Sequence, residues 1–317
     1  MDYFTREQIE ALLDMEGCIR LMRDTLVEYA KGSAIQILRT AMPAAPRKLL
    51  GIMPAASAEA GVIGAKIITV FPDNFQRGLP SHQGAVVLFD LDTGSLKSIL
   101  DGEAITGIRT AAVSAAATDA LARPEARTLC LLGSGLQARR HLNAIRRVRP
   151  IEEVRVWDIS RESVQRFRRE MEASEGVPVL DCCGSVRRAV EGADIICTVT
   201  AASEPVLFGA HVSPGAHINA VGACGASNRE LDSALVRSSR FFCDSRESCL
   251  GEAGDFLIPL KAGEITGEHL LGEIGKVLSG ELPGRLDAGD ITVFEAQGLA
   301  VEDLAAASYV CGKAGRE

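Results

Sequence analysis

The sequence has few aromatic residues, no long apolar run and no cysteine pattern of a metal finger. Aromatic side chains make up only 4% of the 317 residues, while Gly and Ala are plentiful, which is typical of tightly packed α/β units. No stretch reaches the roughly 18 apolar residues that a membrane span requires. A formal net charge of −8 argues against non-specific binding to nucleic acid. We therefore expect a globular protein with neither a membrane nor a nucleic acid as its partner.

The N-terminus and the cysteines bear on the compartment of the protein. The segment MDYFTREQIEALLDMEG is acidic and has a helical pattern, whereas a signal peptide needs a basic start and an apolar run. The nine cysteines are an odd number and form no CxxC pair. We interpret most of them as small buried side chains in a reducing compartment. The sequence therefore predicts a cytoplasmic protein without a metal site.

The first part of the chain changes from helical to strand patterns. Thr5 and Gln8 form a capping box, which predicts an opening helix. The segments GAKIITVFP (64–72) and GAVVLFDLDTGSLKSIL (84–100) are rich in β-branched residues, and DLDTGS has the turn chemistry of a hairpin. We expect an antiparallel, strand-rich first domain that ends in an Ala-rich helix.

After the boundary segment RPEAR (123–127), helical patterns alternate with short apolar strands. The strands TLCLLGSG, EVRVWD, GADIICTVT and GAHINAVGA are separated by helical or loop segments, an order that marks a doubly wound parallel sheet. At 317 residues the chain is long enough for two domains. The predicted fold class is α/β, with a Rossmann domain and a second, α+β domain.

The segment GSGLQA (133–138) is the strongest candidate for a cofactor loop. A strand precedes it, a helix follows it, and the next strand ends in Asp158, 20 residues after Ala138. Gly133 allows a tight turn and Gly135 allows the pyrophosphate to approach, while the helix N-terminus holds its charge. The alternative is a purely structural turn. We predict a dinucleotide site formed by Gly133, Ser134, Gly135, Leu136, Gln137 and Ala138.

Two residues after the second Rossmann strand bear on the choice of coenzyme. Asp158 can accept hydrogen bonds from the adenosine ribose and repels a 2′-phosphate, which favours NAD(H). Arg161 lies three residues further on and is able to accommodate that phosphate, so NADP(H) stays open. The alternative for Arg161 is a solvated residue in the first turn of a helix.

Three cationic residues of the first domain are candidates for binding the substrate. Arg39 and Arg109 have the side chain that binds carboxylates in a bidentate manner. Lys66 lies in the otherwise apolar run AKIITVF, where a charge must be solvated or paired, and it is a candidate proton donor. Taken singly, each of the three also fits an ordinary surface charge.

Eight segments together resemble a known family over almost the whole chain. They are GIMPA (51–55), AKIITVFPDN (65–74), HQGAVVLFDLDTG (82–94), DGEAITGIRTAAVSA (101–115), GSGLQA (133–138), INAVGA (218–223), RELD (229–232) and GLAVEDLA (298–305). In this order they look like the ornithine cyclodeaminase and mu-crystallin family. The pairing of RTAA with GSGLQA is more specific than the glycine loop alone.

The resemblance implies an organisation and a chemistry. It implies a homodimer in which residues 1–122 and 299–317 form a substrate-binding and dimerisation domain around a Rossmann domain of residues 123–298. It also implies that Arg39, Lys66 and Arg109 match the cations of the family that bind the substrate carboxylate and catalyse the reaction. The reactions of the family share an imine on the carbon that bears a carboxylate.

Other residues are assigned to the nicotinamide end of the cofactor site. Thr198 and Thr200 follow the fourth Rossmann strand, and Val221 lies in INAVGA. A threonine at a strand end is as often structural. A departure in FEAQG (294–298), where many relatives have a Lys-Ser pair after the Phe, weakens any contact carried over from that segment.

Cys224 marks the departure that decides between the activities of the family. Cyclodeaminases and alanine dehydrogenases have an Asp in the loop after VGA, but this loop reads VGACGASNRELD, with Cys224 at the matching position. An unperturbed thiol is a poor general base at neutral pH. We interpret Cys224 as a small residue that leaves room for substrate or cofactor, with a nucleophilic role as the alternative.

The combined prediction is an NAD(P)H-dependent reductase of an α-imino acid that produces an L-amino acid. The candidate substrates are a cyclic ketimine such as 1-pyrroline-2-carboxylate and an open imine such as iminosuccinate. One alternative is an NAD-dependent deaminase that resembles ornithine cyclodeaminase or alanine dehydrogenase. The other is a non-catalytic protein that binds a small ligand together with NADP(H).

Overall fold

The protein is described by a computed structural model that covers residues 1–173, 176 and 178–315, and it divides into two compact units. Unit 1 comprises Met1–Ala112 and Gly298–Glu317, and unit 2 comprises Val113–Gln297. The domain boundaries expected from the sequence lie after residues 122 and 298. The first division falls inside the helix Gly102–Leu121, where a continuous helical pattern carries no signal of a boundary.

The described residues form fifteen strands and eleven α-helices. The strands are β1 (Asp2–Phe4), β2 (Ala34–Gln36), β3 (Thr40–Ala45), β4 (Lys48–Ser57), β5 (Val62–Val70), β6 (His82–Asp90), β7 (Leu96–Asp101), β8 (Thr128–Leu132), β9 (Glu153–Trp157), β10 (Val179–Cys182), β11 (Ile195–Thr198), β12 (His217–Ala220), β13 (Arg240–Cys243), β14 (Leu270–Glu273) and β15 (Thr292–Glu295). The helices are α1 (Arg6–Leu12), α2 (Met15–Lys31), α3 (Gly102–Leu121), α4 (Leu136–Ile145), α5 (Arg161–Glu172), α6 (Val186–Val190), α7 (Ser233–Ser238), α8 (Arg246–Glu252), α9 (Gly254–Lys261), α10 (Ile274–Leu278) and α11 (Ala300–Ala314).

Unit 1 is built on a seven-stranded sheet with the order β1-β7-β6-β5-β4-β2, in which β3 also pairs with β4. The pairs from β4 to β7 are antiparallel, as expected for the strand-rich first domain, and the DLDTGS hairpin joins β6 to β7. In that turn, Thr93 donates from its backbone and hydroxyl to the Asp90 carboxylate at 3.0 and 2.8 Å. This local bonding explains the position of the turn.

The C-terminal helix belongs to unit 1, which periodicity alone could not show. Helix α11 packs against strands β4, β5 and β6 and against α2. Its N-terminus is capped from a distant strand, since the Gln36 side chain accepts hydrogen bonds from the backbone of Ala300 at 2.8 Å and Val301 at 3.4 Å. These bonds satisfy N–H groups that an α-helix leaves free at its start. They also fix the first turn of α11, which carries two acidic residues.

Unit 2 contains the doubly wound sheet that the sequence predicts. All eight strands are parallel, in the order β10-β9-β8-β11-β12-β15-β13-β14. Its buried core includes Leu132, Ile196, Ile218, Phe241 and Val293. Because the strands are parallel, the segments that follow β8, β11, β12 and β15 all leave the same edge of the sheet. Ligands of open α/β sheets bind at this carboxyl edge.

Candidate active site

Lys66 lies on the inner face of the unit 1 sheet and is 3% exposed. Its Nζ lies 2.7 Å from Asp303 Oδ2 in α11 and 3.4 Å from the Thr106 hydroxyl in α3. Burial lowers the pKa of Lys66 to about 8, although the Asp303 carboxylate acts in the opposite direction. Lys66 is therefore mostly an ammonium group at neutral pH, yet it gives up its proton far more readily than a solvated lysine.

The side chain of Arg109, which lies in α3, binds to α11, the helix that also binds Lys66. Its Nε donates to Asp303 Oδ1 and its Nη1 to Glu302 Oε2, both at 2.8 Å, and its side chain is 4% exposed. Burial raises the pKa of Asp303, but the charges of Arg109 and Lys66 outweigh this and hold it below the usual range. Two carboxylates of α11 thus orient the guanidinium of Arg109.

Arg39 contacts the segment that precedes α11, the helix that binds Lys66 and Arg109. Its Nη2 donates to the Gly298 carbonyl at 3.3 Å. Gly298 has a φ of +77°, and a Cβ atom there would lie 2.9 Å from Nη1 of Arg109. Only glycine combines this backbone conformation with the close approach of the guanidinium. Unit 1 therefore brings Arg39, Lys66 and Arg109 together, as the sequence analysis expected of a substrate site.

The composition of this cation cluster (Arg39, Lys66 and Arg109) favours an anionic ligand. Lys66 and Arg109 are buried and bind the carboxylates of Glu302 and Asp303. Arg39 is partly exposed, and its positive charge is close enough to act on Lys66. A carboxylate is a suitable ligand because arginine binds it through two parallel hydrogen bonds.

Sequence reasoning did not assign Glu302 and Asp303, although both lie in the segment GLAVEDLA. Each is fully buried in the structure. Acidic residues are common in the first turn of a helix, where they interact favourably with the helix dipole. These two acids could therefore be explained without any role in a site. The long apolar pattern around these two acids was the signal in the sequence. It indicates a buried helix, and a buried carboxylate requires a charged or hydrogen-bonding partner.

The glycine loop of unit 2 connects β8 to α4, as predicted. Gly133 has a φ of +104°, and a Cβ atom there would lie 2.6 Å from the Val199 carbonyl oxygen. Gly135 is the N-cap of α4, and a Cβ atom there would contact nothing within 4 Å, so the space above it is open. Ala138 is fully buried behind the loop. This local geometry fits a pyrophosphate at the N-terminus of the ten-residue helix α4.

Asp158 follows β9 and is bonded to the glycine loop. Its Oδ2 accepts hydrogen bonds from the Ser134 backbone at 2.9 Å and the Ser134 hydroxyl at 2.8 Å, and its Oδ1 accepts one from the Ser160 backbone at 2.9 Å. A carboxylate has about four acceptor positions, so capacity for a ribose hydroxyl remains. Asp158 thus also orients the loop, a role that sequence reasoning did not assign to it.

A cavity of about 280 Å³ lies next to Asp158. Trp157, Asp158, Arg161 and Cys183 are among its lining residues. Arg161 is exposed as the first residue of α5, so its guanidinium is accessible to a ligand in this cavity. The position and size of the cavity fit the adenosine half of a dinucleotide.

The residues assigned to the nicotinamide end lie where β11 and β12 finish. Thr198 is fully buried, and its carbonyl accepts hydrogen bonds from the Val221 and Gly222 backbones at 3.0 and 3.2 Å. Thr200 donates from its backbone at 2.7 Å and from its hydroxyl at 2.6 Å to Glu230 Oε1. The Thr200 hydroxyl is thus engaged within the protein, and Glu230 of RELD is a positioning residue that the sequence analysis left unassigned.

Cys224 is exposed in the segment that follows β12. Its backbone carbonyl accepts a hydrogen bond from the Asn228 side chain at 2.9 Å. All nine cysteines lie in the described part of the chain, and none of them forms a disulfide. The described residues contain no group of three or more His, Cys, Asp or Glu side chains placed to hold a metal ion. None of the described helices is both long and apolar enough to cross a membrane.

The parallel sheet of unit 2 with its glycine loop is typical of an oxidoreductase that uses a dinucleotide, and the cation cluster of unit 1 is suited to a carboxylate-bearing substrate. The chain belongs to the ornithine cyclodeaminase/mu-crystallin family, whose family model matches residues 2–317. The predicted family and fold class are therefore confirmed.

Three similar proteins show how the family uses this fold. The ketimine reductase mu-crystallin of Mus musculus is 43% identical over 289 residues, which cover 90% of this chain and 88% of that protein. The Delta(1)-pyrroline-2-carboxylate reductase of Thermococcus litoralis, solved in complex with NADH and L-proline, is 35% identical with a TM-score of 0.96 over 100% of this chain and 98% of that one. An archaeal alanine dehydrogenase dimer with bound NAD is 28% identical, with a TM-score of 0.92 over 99% and 96% of the two chains.

Proposed function

We propose that this chain is an NADH-dependent reductase of α-imino acids, with 1-pyrroline-2-carboxylate as the first candidate substrate and an L-amino acid as the product. The observation that carries the proposal is the buried ammonium group of Lys66, which is held by Asp303 in one cluster with Arg39 and Arg109. The reductases among the similar proteins support it. L-Proline, which the Thermococcus litoralis relative binds, is the product that reduction of this imine would give.

In the proposed reaction, Arg39 and Arg109 bind the substrate carboxylate and Lys66 protonates the imine nitrogen. NADH, when bound, supplies the hydride that adds to the imine carbon. One proton and one hydride convert the C=N bond into CH–NH, and Lys66 is left as a neutral amine that regains a proton from water. Asp303 holds Nζ of Lys66 in position, and the lowered pKa of Lys66 makes this proton transfer easier.

Turnover of a defined set of substrates tests the proposal. The purified protein is mixed with NADH and 1-pyrroline-2-carboxylate, 1-piperideine-2-carboxylate, or oxaloacetate with ammonia, and loss of NADH is followed by absorbance. Ornithine and alanine with NAD are assayed in parallel. We expect NADH oxidation with at least one imine and an L-amino acid product. The proposal is contradicted if none of the imines leads to NADH oxidation, or if the protein turns over only ornithine or alanine.

Substitution of Cys224 separates reduction from deamination. We expect Cys224→Ala to lower kcat for imine reduction by less than about tenfold, because the proposed reaction uses no thiol. Cys224→Asp is expected to impair reduction, because it introduces a carboxylate at the position that matches the Asp of the deaminases. Complete loss of activity in a folded Cys224→Ala protein would show that the thiol takes part in the chemistry.

The preference for NADH over NADPH is expected to depend on Asp158. In Asp158→Ser, the repulsion of a 2′-phosphate disappears while the exposed Arg161 stays available to bind it. We expect the ratio of kcat/KM for NADPH to that for NADH to rise at least about tenfold, equivalent to 1.4 kcal/mol. Glu162→Ser, a charge change at an exposed neighbour, serves as the matched control. An unchanged ratio in Asp158→Ser means that another group selects the coenzyme.

We also propose that the protein is a homodimer formed through the outer face of the unit 1 sheet. This face lies opposite to Lys66 and is apolar across neighbouring strands, with Ile52 paired to Ile67 and Ile35 paired to Ala56. The exposed fractions of Ile35, Ile52 and Ile67 are 63%, 39% and 40%. Contiguous apolar surface of this kind marks an interface, and an apolar face covers itself best with a second copy. The dimeric alanine dehydrogenase supports this assignment.

Ile67→Glu tests the proposed dimer face. A glutamate at this position introduces a charge that a buried interface cannot solvate, so we expect the molar mass measured by light scattering to fall to that of a monomer. Leu286→Glu, at an exposed leucine of unit 2, is the matched control and is expected to keep the wild-type mass. A dimer that persists in Ile67→Glu places the interface elsewhere.

We also propose that the enzyme is cytoplasmic; the absence of disulfides among the nine cysteines is consistent with a reducing compartment.

A further inference from the structure

Segment 222–229, which we call the Cys224 loop, is tied to the rest of unit 2 at several points. The Gly222 backbone donates to Glu230 Oε2 at 2.8 Å, and Gln297 Nε2 donates to the Ala223 carbonyl at 3.4 Å. Gly225 forms an isolated parallel bridge with Ala253. The backbone on both sides of Cys224 is thus held by groups that are remote in sequence.

Three buried carboxyl groups belong to the network that holds this loop. Glu230, Asp255 and Glu295 are at most 1% exposed. Asp255 Oδ1 accepts hydrogen bonds from the Glu230 backbone at 3.0 Å and the Leu231 backbone at 2.6 Å, at the end of the loop. Glu295 Oε1 accepts one from Gln297 Nε2 at 2.6 Å, so Gln297 connects Glu295 to the Ala223 carbonyl.

Two oxygens of this acidic group lack a partner. Among the described residues, neither Asp255 Oδ2 nor Glu295 Oε2 has a hydrogen bond, and both atoms are buried. The ionisable neighbours of Glu295 include Asp255, Asp244 and the thiol of Cys249, and none of these three can supply a positive charge. A buried carboxylate without a cation or donor is very costly, whereas a neutral carboxylic acid supplies its own O–H donor.

The protonation equilibria agree with this geometry. Burial raises the pKa of Glu295 well above its ordinary value, and the neighbouring carboxyl group of Asp255 raises it further. Burial also raises the pKa of Asp255 to about 7, against the effect of the two backbone donors. Both shifts favour the protonated carboxylic acid, in agreement with the lack of a cation beside Glu295 among the neighbours named above.

We propose that Glu295 is a positioning residue for the reductase reaction: as a neutral carboxylic acid it orients Gln297, which holds the Ala223 carbonyl and with it the Cys224 loop. The inference rests on the proposed function, because its kinetic test requires that the Cys224 loop affects imine reduction. In the neutral acid, Oε1 remains the acceptor for Gln297, and Oε2 carries the proton. Glu295 acts only through Gln297 and touches neither substrate nor cofactor.

Two substitutions of Glu295 separate this role from a charged one. Glu295→Gln keeps the acceptor and replaces the O–H by an N–H donor, so we expect kcat and KM to stay within about twofold of the wild type. Glu295→Ala removes the acceptor that orients the Gln297 amide and is expected to displace the loop. We expect kcat to fall about tenfold, since small displacements of groups at a reaction centre are costly.

Alkylation of Cys224 reports on the loop without any turnover. The rate of its modification by N-ethylmaleimide, measured by peptide mass mapping, is expected to change at least about threefold in Glu295→Ala and to stay at the wild-type value in Glu295→Gln. Because this assay needs no imine, it remains informative if the protein reduces none of the imines. Failure of the proposed function and failure of this inference are therefore distinguishable.

A double-mutant cycle tests the route through Gln297. Gln297→Leu is expected to reproduce the change in alkylation rate of Glu295→Ala, and the double variant is expected to show no further change. If Glu295→Ala does not fold, Gln297→Leu alone carries the alkylation test with Glu295 in place. Additive effects, a wild-type alkylation rate in Gln297→Leu, or a Glu295→Gln variant that behaves like Glu295→Ala would each overturn the proposal.

Discussion

Replacement of Lys66 by methionine is expected to lower kcat for imine reduction by about 100- to 10,000-fold, the usual contribution of a positioned general acid. Methionine has a similar length and fills the buried site, but it has no proton to give. The Asp303 carboxylate stays paired with Arg109 in this variant, so the fold is expected to persist. Steady-state kinetics with saturating NADH and imine measure the effect.

The pH profile identifies the group responsible. Catalysis requires the ammonium form of Lys66, so wild-type kcat/KM is expected to fall as the pH rises through about 8, the pKa of this side chain. Lys66→Met is expected to lack this limb because it has no titrating group at that position. Lys97→Met, at an exposed lysine of β7, is the matched control and is expected to retain both the rate and the limb. Nearly full activity in Lys66→Met would falsify the assignment.

Replacement of Asp303 by asparagine is expected to affect both stability and catalysis. The carboxylate lies 2.7 Å from Lys66 and 2.8 Å from Arg109, and all three side chains are buried. Loss of one member of a buried ionic group destabilises a protein by about 3 to 5 kcal/mol, since the remaining charges lose their compensation. Denaturant unfolding of the wild type and the variant measures this difference.

Asp303→Asn is expected to lower both the pKa of Lys66 and the value of kcat/KM. The Asp303 carboxylate opposes the decrease that burial causes in the pKa of Lys66. In the variant this pKa falls further, so the alkaline limb of kcat/KM moves below pH 8. We also expect kcat/KM at pH 8 to fall by about 100-fold, because Lys66 and Arg109 lose their common anchor. Asp92→Asn, in an exposed turn, controls for the change in net charge. If kcat/KM falls at the same alkaline pH in Asp303→Asn as in the wild type, Asp303 does not control the pKa of Lys66.

The local signals of the sequence predicted the secondary structure around both parts of the candidate site. The glycine loop was identifiable because the close approach at Gly133 demands glycine, and because a strand precedes the loop and a helix follows it. Lys66 was identifiable because a charge within an apolar strand must be paired. Its partner was not, since Asp303 lies far away in sequence and α11 has no periodic feature that assigns it to unit 1.

Other roles depend on contacts that no spacing in the sequence encodes. Asp158 was assigned to the ribose from its distance to the glycine loop, but its bonds to Ser134 follow from the pairing of β8 with β9. Thr200 was assigned to the nicotinamide end from its position after β11. Its bonds to Glu230 became evident only in the structure, because 30 residues separate the two along the chain.

The sequence by itself determined the class of fold, the family, the glycine loop and the three cations, because these depend on local periodicity, on backbone conformation or on motifs that survive in a linear pattern. Only the tertiary structure decided how the charges are compensated. It placed Asp303 between Lys66 and Arg109, and it surrounded Glu295 with acidic neighbours. The physical reason is that the pKa of a group and its partners depend on distances between segments that folding alone brings together.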